Sequence, residues 1–126
     1  MSRSLNRTQI IGNLGADPDV HVSPQGQPRT QFSVAVNERW KGSDNQVQEH
    51  TEWFRVVCFG ALAEITGEHL QKGSRVLVEG RMRMQRWQDG NGQERTSVEL
   101  HADDIIFLDS RHPEHHTSNV DKVLEP

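Results

Sequence analysis

Thr51-Glu-Trp-Phe-Arg-Val-Val-Cys-Phe-Gly60 is the stretch on which the fold of this chain turns. Residues 53–59 are rich in the β-branched and aromatic types that suit a pleated surface, and successive side chains of a strand point to opposite faces. Trp53, Arg55, Val57 and Phe59 share one face; Phe54, Val56 and Cys58 share the other, which holds nothing that needs water. A sheet with one apolar face packs that face inward, which turns Trp53, Arg55 and Phe59 outward. If instead the second face looks out, or both are covered, the stretch is simply core. Large rings facing solvent need an explanation. A guanidinium set between two rings suits a stacking platform for the flat bases of single-stranded nucleic acid.

Length and composition bound this reading. At 126 residues the chain supports one domain with a real core and is too short for two. No run approaches the length of a bilayer-spanning helix, and Met1-Ser-Arg-Ser-Leu5 lacks the apolar segment of a secretory signal. A soluble protein in the cytoplasm is the expectation. Cys58 is the only cysteine, which excludes an internal disulfide and a cysteine-based metal cluster and fits a reducing compartment. The net charge of -4 looks unfavourable for a polyanion. Residues 103–126, however, hold six acids against two bases, a net of -4, so residues 1–102 carry twelve of each and are neutral. A neutral body can still carry a basic stripe on one face.

Outward from the opening stretch, residues 5–14 read as a first strand that ends at a glycine-marked bend, with a short strand at Val20–Val22. Ser23-Pro-Gln-Gly-Gln-Pro28 is a reversal by composition. In residues 30–37, Phe32, Val34 and Val36 alternate with Ser33, Ala35 and Asn37, the pattern of a half-buried strand. Glu38–His50 is polar and turn-rich and reads as a long hairpin loop. Strict alternation puts Trp40 on the core face with Val36, whereas its neighbours Arg39 and Lys41 tilt it toward solvent; both placements stay open.

Ala61–Lys72 is the one convincing helix, with Leu62 and Ile65 on one side, Gly67 weakening its middle and Gly73 as its stop. Ser74–Trp87 returns to strand periodicity. Val76, Val78, Met82 and Met84 fall on one side; Arg75, Leu77, Glu79, Arg81, Arg83, Gln85 and Trp87 fall on the other. The second side is either an ordinary solvated face, a subunit contact, or a basic face that ends in a tryptophan. Asp89-Gly-Asn-Gly92 is a turn. The last strand, Thr96–Leu108, sets Val98, Leu100 and Ala102 on one face. Asp109–Pro126 has no sustained periodicity and reads as a short disordered tail. Several strands around a single helix suit an all-β, five-stranded OB-fold Greek-key barrel over residues 1–108, with the helix between strands three and four.

The segments Asn6-Arg-x-x-Ile-Ile-Gly-Asn-Leu-Gly-x-Asp-Pro18, Thr51-Glu-Trp-Phe-Arg-Val-Val-Cys-Phe-Gly-x-Leu-Ala-Glu64, Leu70-x-Lys-Gly-Ser74, Val78-Glu-Gly80 and Arg86-Trp87 resemble, in order and spacing, the bacterial single-stranded DNA-binding protein family. The resemblance implies a homotetrameric OB-fold protein of the bacterial nucleoid that wraps single-stranded DNA during replication, recombination and repair without reading its sequence. By position it assigns base stacking to Trp40, Trp53, Phe59 and Trp87. Phosphate contacts fall on Arg3, Arg55, Lys72, Arg83 and Arg86, with Arg7 a looser match. Two departures stand out. Phe54 occupies a position where the family commonly has a histidine at a subunit contact, which makes it a candidate interface residue. The chain ends Asn119-Val-Asp-Lys-Val-Leu-Glu-Pro126, without the family's acidic tip that recruits replication and repair enzymes. A plasmid, phage or accessory paralogue fits this ending.

The residues and the resemblance imply one mechanism: rings stack on bases, cations neutralise phosphates, and no catalysis or cofactor is required. Two other function classes compete. His112-Pro-Glu-His-His116 is rich enough in imidazole to bind a metal, but it falls in the tail, away from groups that a fold could fix. An OB-type domain whose aromatic face grips a partner protein or RNA is the other; it predicts that Trp53→Ala weakens a protein complex and spares poly-dT binding.

Overall fold

A computed structural model describes residues 3–109. The chain runs β1 (Thr8–Leu14), β2 (Asp19–Val22), β3 (Pro28–Lys41), β4 (Val47–Phe59), α1 (Gly60–His69), β5 (Arg75–Gln88) and β6 (Glu94–Phe107). The sheet order β1-β5-β6-β4-β3-β2 closes on itself through a further β1–β3 pairing. β2 pairs with residues 28–31 of β3 and β1 with residues 34–35 of the same strand, so β1 and β2 act as one bent strand along a single edge. The result is a five-stranded OB barrel with α1 after its third strand, as the alternation and turn chemistry predict. Every pairing is antiparallel except the short β4–β6 contact at Val56↔Leu100 and Val57↔His101.

The core is built from the inward positions that the alternation names, among them Phe32, Val34, Val56, Cys58, Val76, Val78 and Leu100. Phe54 lies on this face opposite Val34, half-buried and packed against the core. Burial pushes the Cys58 thiol up to about 11, against a smaller lowering by a hydrogen bond with Thr66.

Three expectations need correction. Glu38–His50 is not a long loop: β3 continues to Lys41 and β4 begins at Val47, around a turn closed by Gly42 N–H donating to Gln46 O at 2.9 Å. This two-stranded ribbon is wet on both faces, so it shows no apolar alternation. Its register is held by the main chain and by pairs such as Arg39–Glu49 at 3.1 Å and Thr51–Asn37 at 2.7 Å.

The helix ends at His69 rather than Lys72, because Leu70 is already extended and buries its own side chain. Its buried residues are Ala63 and Thr66, whereas Ile65 is exposed and Leu62 only partly covered. Small residues are needed because the helix sits close to the strands: Thr30 donates to Ala63 O at 2.7 Å, and a β-carbon on Gly67 would come within 2.9 Å of Val20 Cγ2. Gly67 permits that approach.

The apolar sides of the last two strands are only half buried. Met84 and Val98 pair across the β5–β6 ribbon where it has left the barrel, and both are exposed. The pairing skips one residue, Asp103, between Glu79↔Asp104 and Gly80↔Ala102. Gly80 is required at this bulge, since a β-carbon there would lie 2.0 Å from His101 O.

Candidate nucleic-acid interface

β4 is central in the barrel, so its odd-numbered side chains sit on one continuous outer surface. Trp53, Arg55 and Phe59 are all about half exposed on it. Val57 has the same parity yet is buried, flanked by Gln31 on β3 and His101 on β6. The Trp53 indole lies against Gly15, where the chain bends between β1 and β2. That contact forms one wall of a cleft of about 600 Å³ lined by Gly15, Asp17, Asp19, Gln31, Ser33, Trp53 and Arg55.

A second cleft, of about 520 Å³, shares Arg55 with the first and continues across β6 to the β5–β6 ribbon. Phe59 and Trp87 both line it, with Arg29, Arg86, Gln85, Ser97, Glu99 and His101. The Phe59 and His101 rings are tilted by 54° with centroids 5.6 Å apart, a separation within the range of interacting aromatic pairs. Trp87 stands opposite Arg95 at the end of the ribbon. The turn beyond it is fixed by Asp89, whose carboxylate accepts from Arg95 Nε and from the Asn91 and Gln93 amides at 2.9–3.0 Å. These interactions, the Arg95 guanidinium foremost, hold the Asp89 carboxyl below its ordinary value.

Trp53, Arg55, Phe59, Arg86 and Trp87 thus line two clefts that meet at Arg55. Arg83 is exposed on the same outward parity, across the ladder from Glu99. Lys72 adjoins the first cleft through its backbone amide, which donates to Asp17 Oδ1 at 2.8 Å. Trp40 lies elsewhere. It is about half exposed, but the unbroken β3–β4 register puts it on the parity of Val34 and Val36, opposite to that of Trp53. Arg7 lines neither cleft and is held by Glu79 at 2.5 Å, and Arg3 is exposed ahead of β1.

The residues that sequence reading missed are Arg29, Gln31, Glu99 and His101, all brought to the clefts by pairing between distant strands. Alternation was the available signal, since Ser97, Glu99 and His101 share a face of β6 and Arg29 and Gln31 share the parity of Ser33 on β3. Among the described residues no group of His, Cys, Asp and Glu could hold a metal ion. The His112–His116 cluster lies outside them. No helix among them is long and apolar enough to cross a membrane.

Residues 5–108 match the Single-strand binding protein family. Over 117 residues the chain is 44% identical to Single-stranded DNA-binding protein 1 of Xylella fastidiosa (strain 9a5c), covering 92% of this chain and 86% of that protein. Among solved structures, a Plasmodium falciparum SSB complex with ssDNA superposes with a TM-score of 0.81 at 31% identity, covering 86% of this chain and 99% of the other. With the barrel and its ring-lined clefts in place, these matches establish that the chain belongs to the single-strand binding protein family.

Proposed function

We propose that this chain binds single-stranded DNA without sequence preference, keeping strands extended and unpaired during replication, recombination and repair. The observation that carries the reading is the Trp53, Arg55, Phe59 series on one face of β4, continued by Trp87 across a shared cleft. Each base stacked on a ring contributes about 1–3 kcal/mol. Every base has such a face, so stacking is indifferent to sequence. Arg55, Lys72, Arg83 and Arg86 supply phosphate neutralisation next to the rings, which makes affinity fall with salt through counterion release. Arg3 and Arg7 are assigned to an outer path of the strand, and Trp40 to a separate contact on the far side of the β3–β4 ribbon. Binding of this kind needs no chemistry from the protein and no cofactor.

The assembly we propose is a homotetramer in the cytoplasm, associated with the nucleoid. Leu5, Ile11, Met84 and Val98 support it as exposed apolar side chains outside the two clefts. Phe54, packed on the inner face of β4, acts on the assembly by setting the shape of the barrel wall. Residues 1–108 are the binding domain and residues 109–126 an appended tail. The deciding experiment is a fluorescence titration. Poly-dT should quench the tryptophan emission and high salt should restore it; absence of both quenching and a mobility shift of single strands overturns the reading. Light scattering on the eluted protein tests the tetramer.

A further inference from the structure

Below the strip formed by Arg55, Phe59 and His101 lies a carboxylate that charge alone would keep away from a polyanion. Glu99 is 7% exposed. Its Oε1 is 3.1 Å from His101 Nε2, its Oε2 is 4.0 Å from Arg55 Nε, and Arg83 is its partner across the ladder. A buried carboxylate is costly unless it is paired and hydrogen-bonded. Here the two oxygens are divided between groups on two different strands, both of which line the second cleft.

We propose that Glu99 is a positioning residue of the nucleic-acid face, fixing Arg55 and His101 before DNA arrives, and that His101 is a further base-contacting ring. The proposal rests on the DNA-binding reading above. An unrestrained arginine loses rotamer entropy when immobilised. A guanidinium drawn toward Glu99 before binding, with Nε 4.0 Å from Oε2, loses less of this, which is the advantage of preorganisation. A carboxylate oxygen only accepts, so His101 Nε2 donates to it, and this bond fixes the plane of the imidazole. Held in that plane, the imidazole supports Phe59 in a tilted contact and leaves part of its own ring open to the cleft. One acid thereby sets a cation and two rings.

The sign of a single substitution separates this role from plain electrostatics. If Glu99 acts only as a charge, removing it strengthens the attraction for phosphate; if it positions Arg55 and His101, removing it loosens both. The test is titration of the full chain and its Glu99→Gln, Glu99→Ala, His101→Ala and His101→Phe variants with a short oligo-dT, followed by tryptophan quenching at fixed low salt. Glu99→Ala should weaken binding by about threefold to tenfold, and the near-isosteric Glu99→Gln, which keeps an acceptor for His101, by about twofold to threefold. His101→Ala should weaken it by about threefold, and His101→Phe, which keeps a ring but loses the bond to Glu99, should recover only part of that loss. The Arg55 Nε–H signal of the free protein should broaden in Glu99→Gln, a change that a purely structural role would not produce. Melting curves establish that each variant is folded, and Glu99→Gln carries the test if Glu99→Ala is not. Binding by Glu99→Gln as tight as the parent, or tighter, overturns the role of Glu99; unchanged binding by His101→Ala overturns that of His101. A parent chain that shows no quenching overturns the DNA-binding reading and this proposal with it.

Discussion

Trp53 and Gly15 are in contact so close that a β-carbon at position 15 would lie 2.5 Å from Cζ3 of the indole. The ring is the movable partner, since it is more than half exposed, whereas Gly15 is tied to β3 by its amide donating to Ser33 O at 3.1 Å. Gly15→Ala should therefore tilt the indole out of place and leave the barrel intact. The expected outcome is a shifted Trp53 emission and oligo-dT affinity lower by about threefold to tenfold, against the about 1–3 kcal/mol of a full stacking contact. Fluorescence titration reads both, and an unchanged melting temperature confirms that the effect is local.

Opposite parity on the β3–β4 ribbon separates Trp40 from Trp53. An oligo-dT short enough to occupy the two clefts should lose about 1–3 kcal/mol of binding on Trp53→Ala. Trp40→Ala should leave the same oligomer bound as before. Equal losses from the two variants would show that the strand crosses to the other face even at this length.

Gly80 meets backbone rather than a flexible side chain. Its β-carbon would lie 2.0 Å from His101 O, and neither strand can yield without breaking the pairing around the bulge. Gly80→Ala should destabilise the barrel, at the upper end of the about 1–3 kcal/mol that overpacking costs. Urea denaturation provides the number.

Asp89 should give the β5–β6 turn a pH dependence whose sign follows from its partners. Arg95 foremost, with the Gln93 and Asn91 amides, holds its carboxyl below the ordinary carboxylate range in the folded protein, so its contribution is present above that range and is lost as pH falls through the depressed value. Protection of the Asn91 and Gln93 amides from exchange, relative to the unfolded chain at the same pH, should fall in acid before the barrel opens. Asp89→Asn should remove most of that dependence.

Cys58 should be inert toward thiol reagents in the folded protein. It is fully buried, and its thiol, pushed up to about 11, holds little thiolate near neutral pH. Labelling by iodoacetamide should become fast only in denaturant; fast labelling without it would mean that β4 opens locally.

What could be read from residues alone followed the strength of the burial signal. Trp53, Arg55 and Phe59 were legible because the apolar Phe54, Val56 and Cys58 fixed the inner face of β4 and so turned their neighbours outward. Trp40 was not, because both faces of the ribbon around it are wet and no apolar periodicity marks the strand. The helix misled through its larger side chains: Ile65 looks like core, but the helix buries Ala63 and Thr66 and approaches Val20 and Thr30 closely at Gly67. Glu99 and His101 gained meaning only from the register of β6 against β4 and β5, a long-range relation that alternation along one strand does not contain.

The skipped residue at Asp103 has a consequence for how this chain can change. On one side of it the odd-numbered residues Ser97, Glu99 and His101 line the second cleft; on the other, the odd-numbered Ile105 and Phe107 turn into the core. The two halves of β6 are out of phase, and one extra residue is the phase shifter. Substitutions of Asp103 leave that count untouched, whereas deleting any one residue between His101 and Ile105 would force a choice between a filled core and a complete cleft. The length of this strand is therefore a tighter constraint on descent than the identity of the residue that sets it.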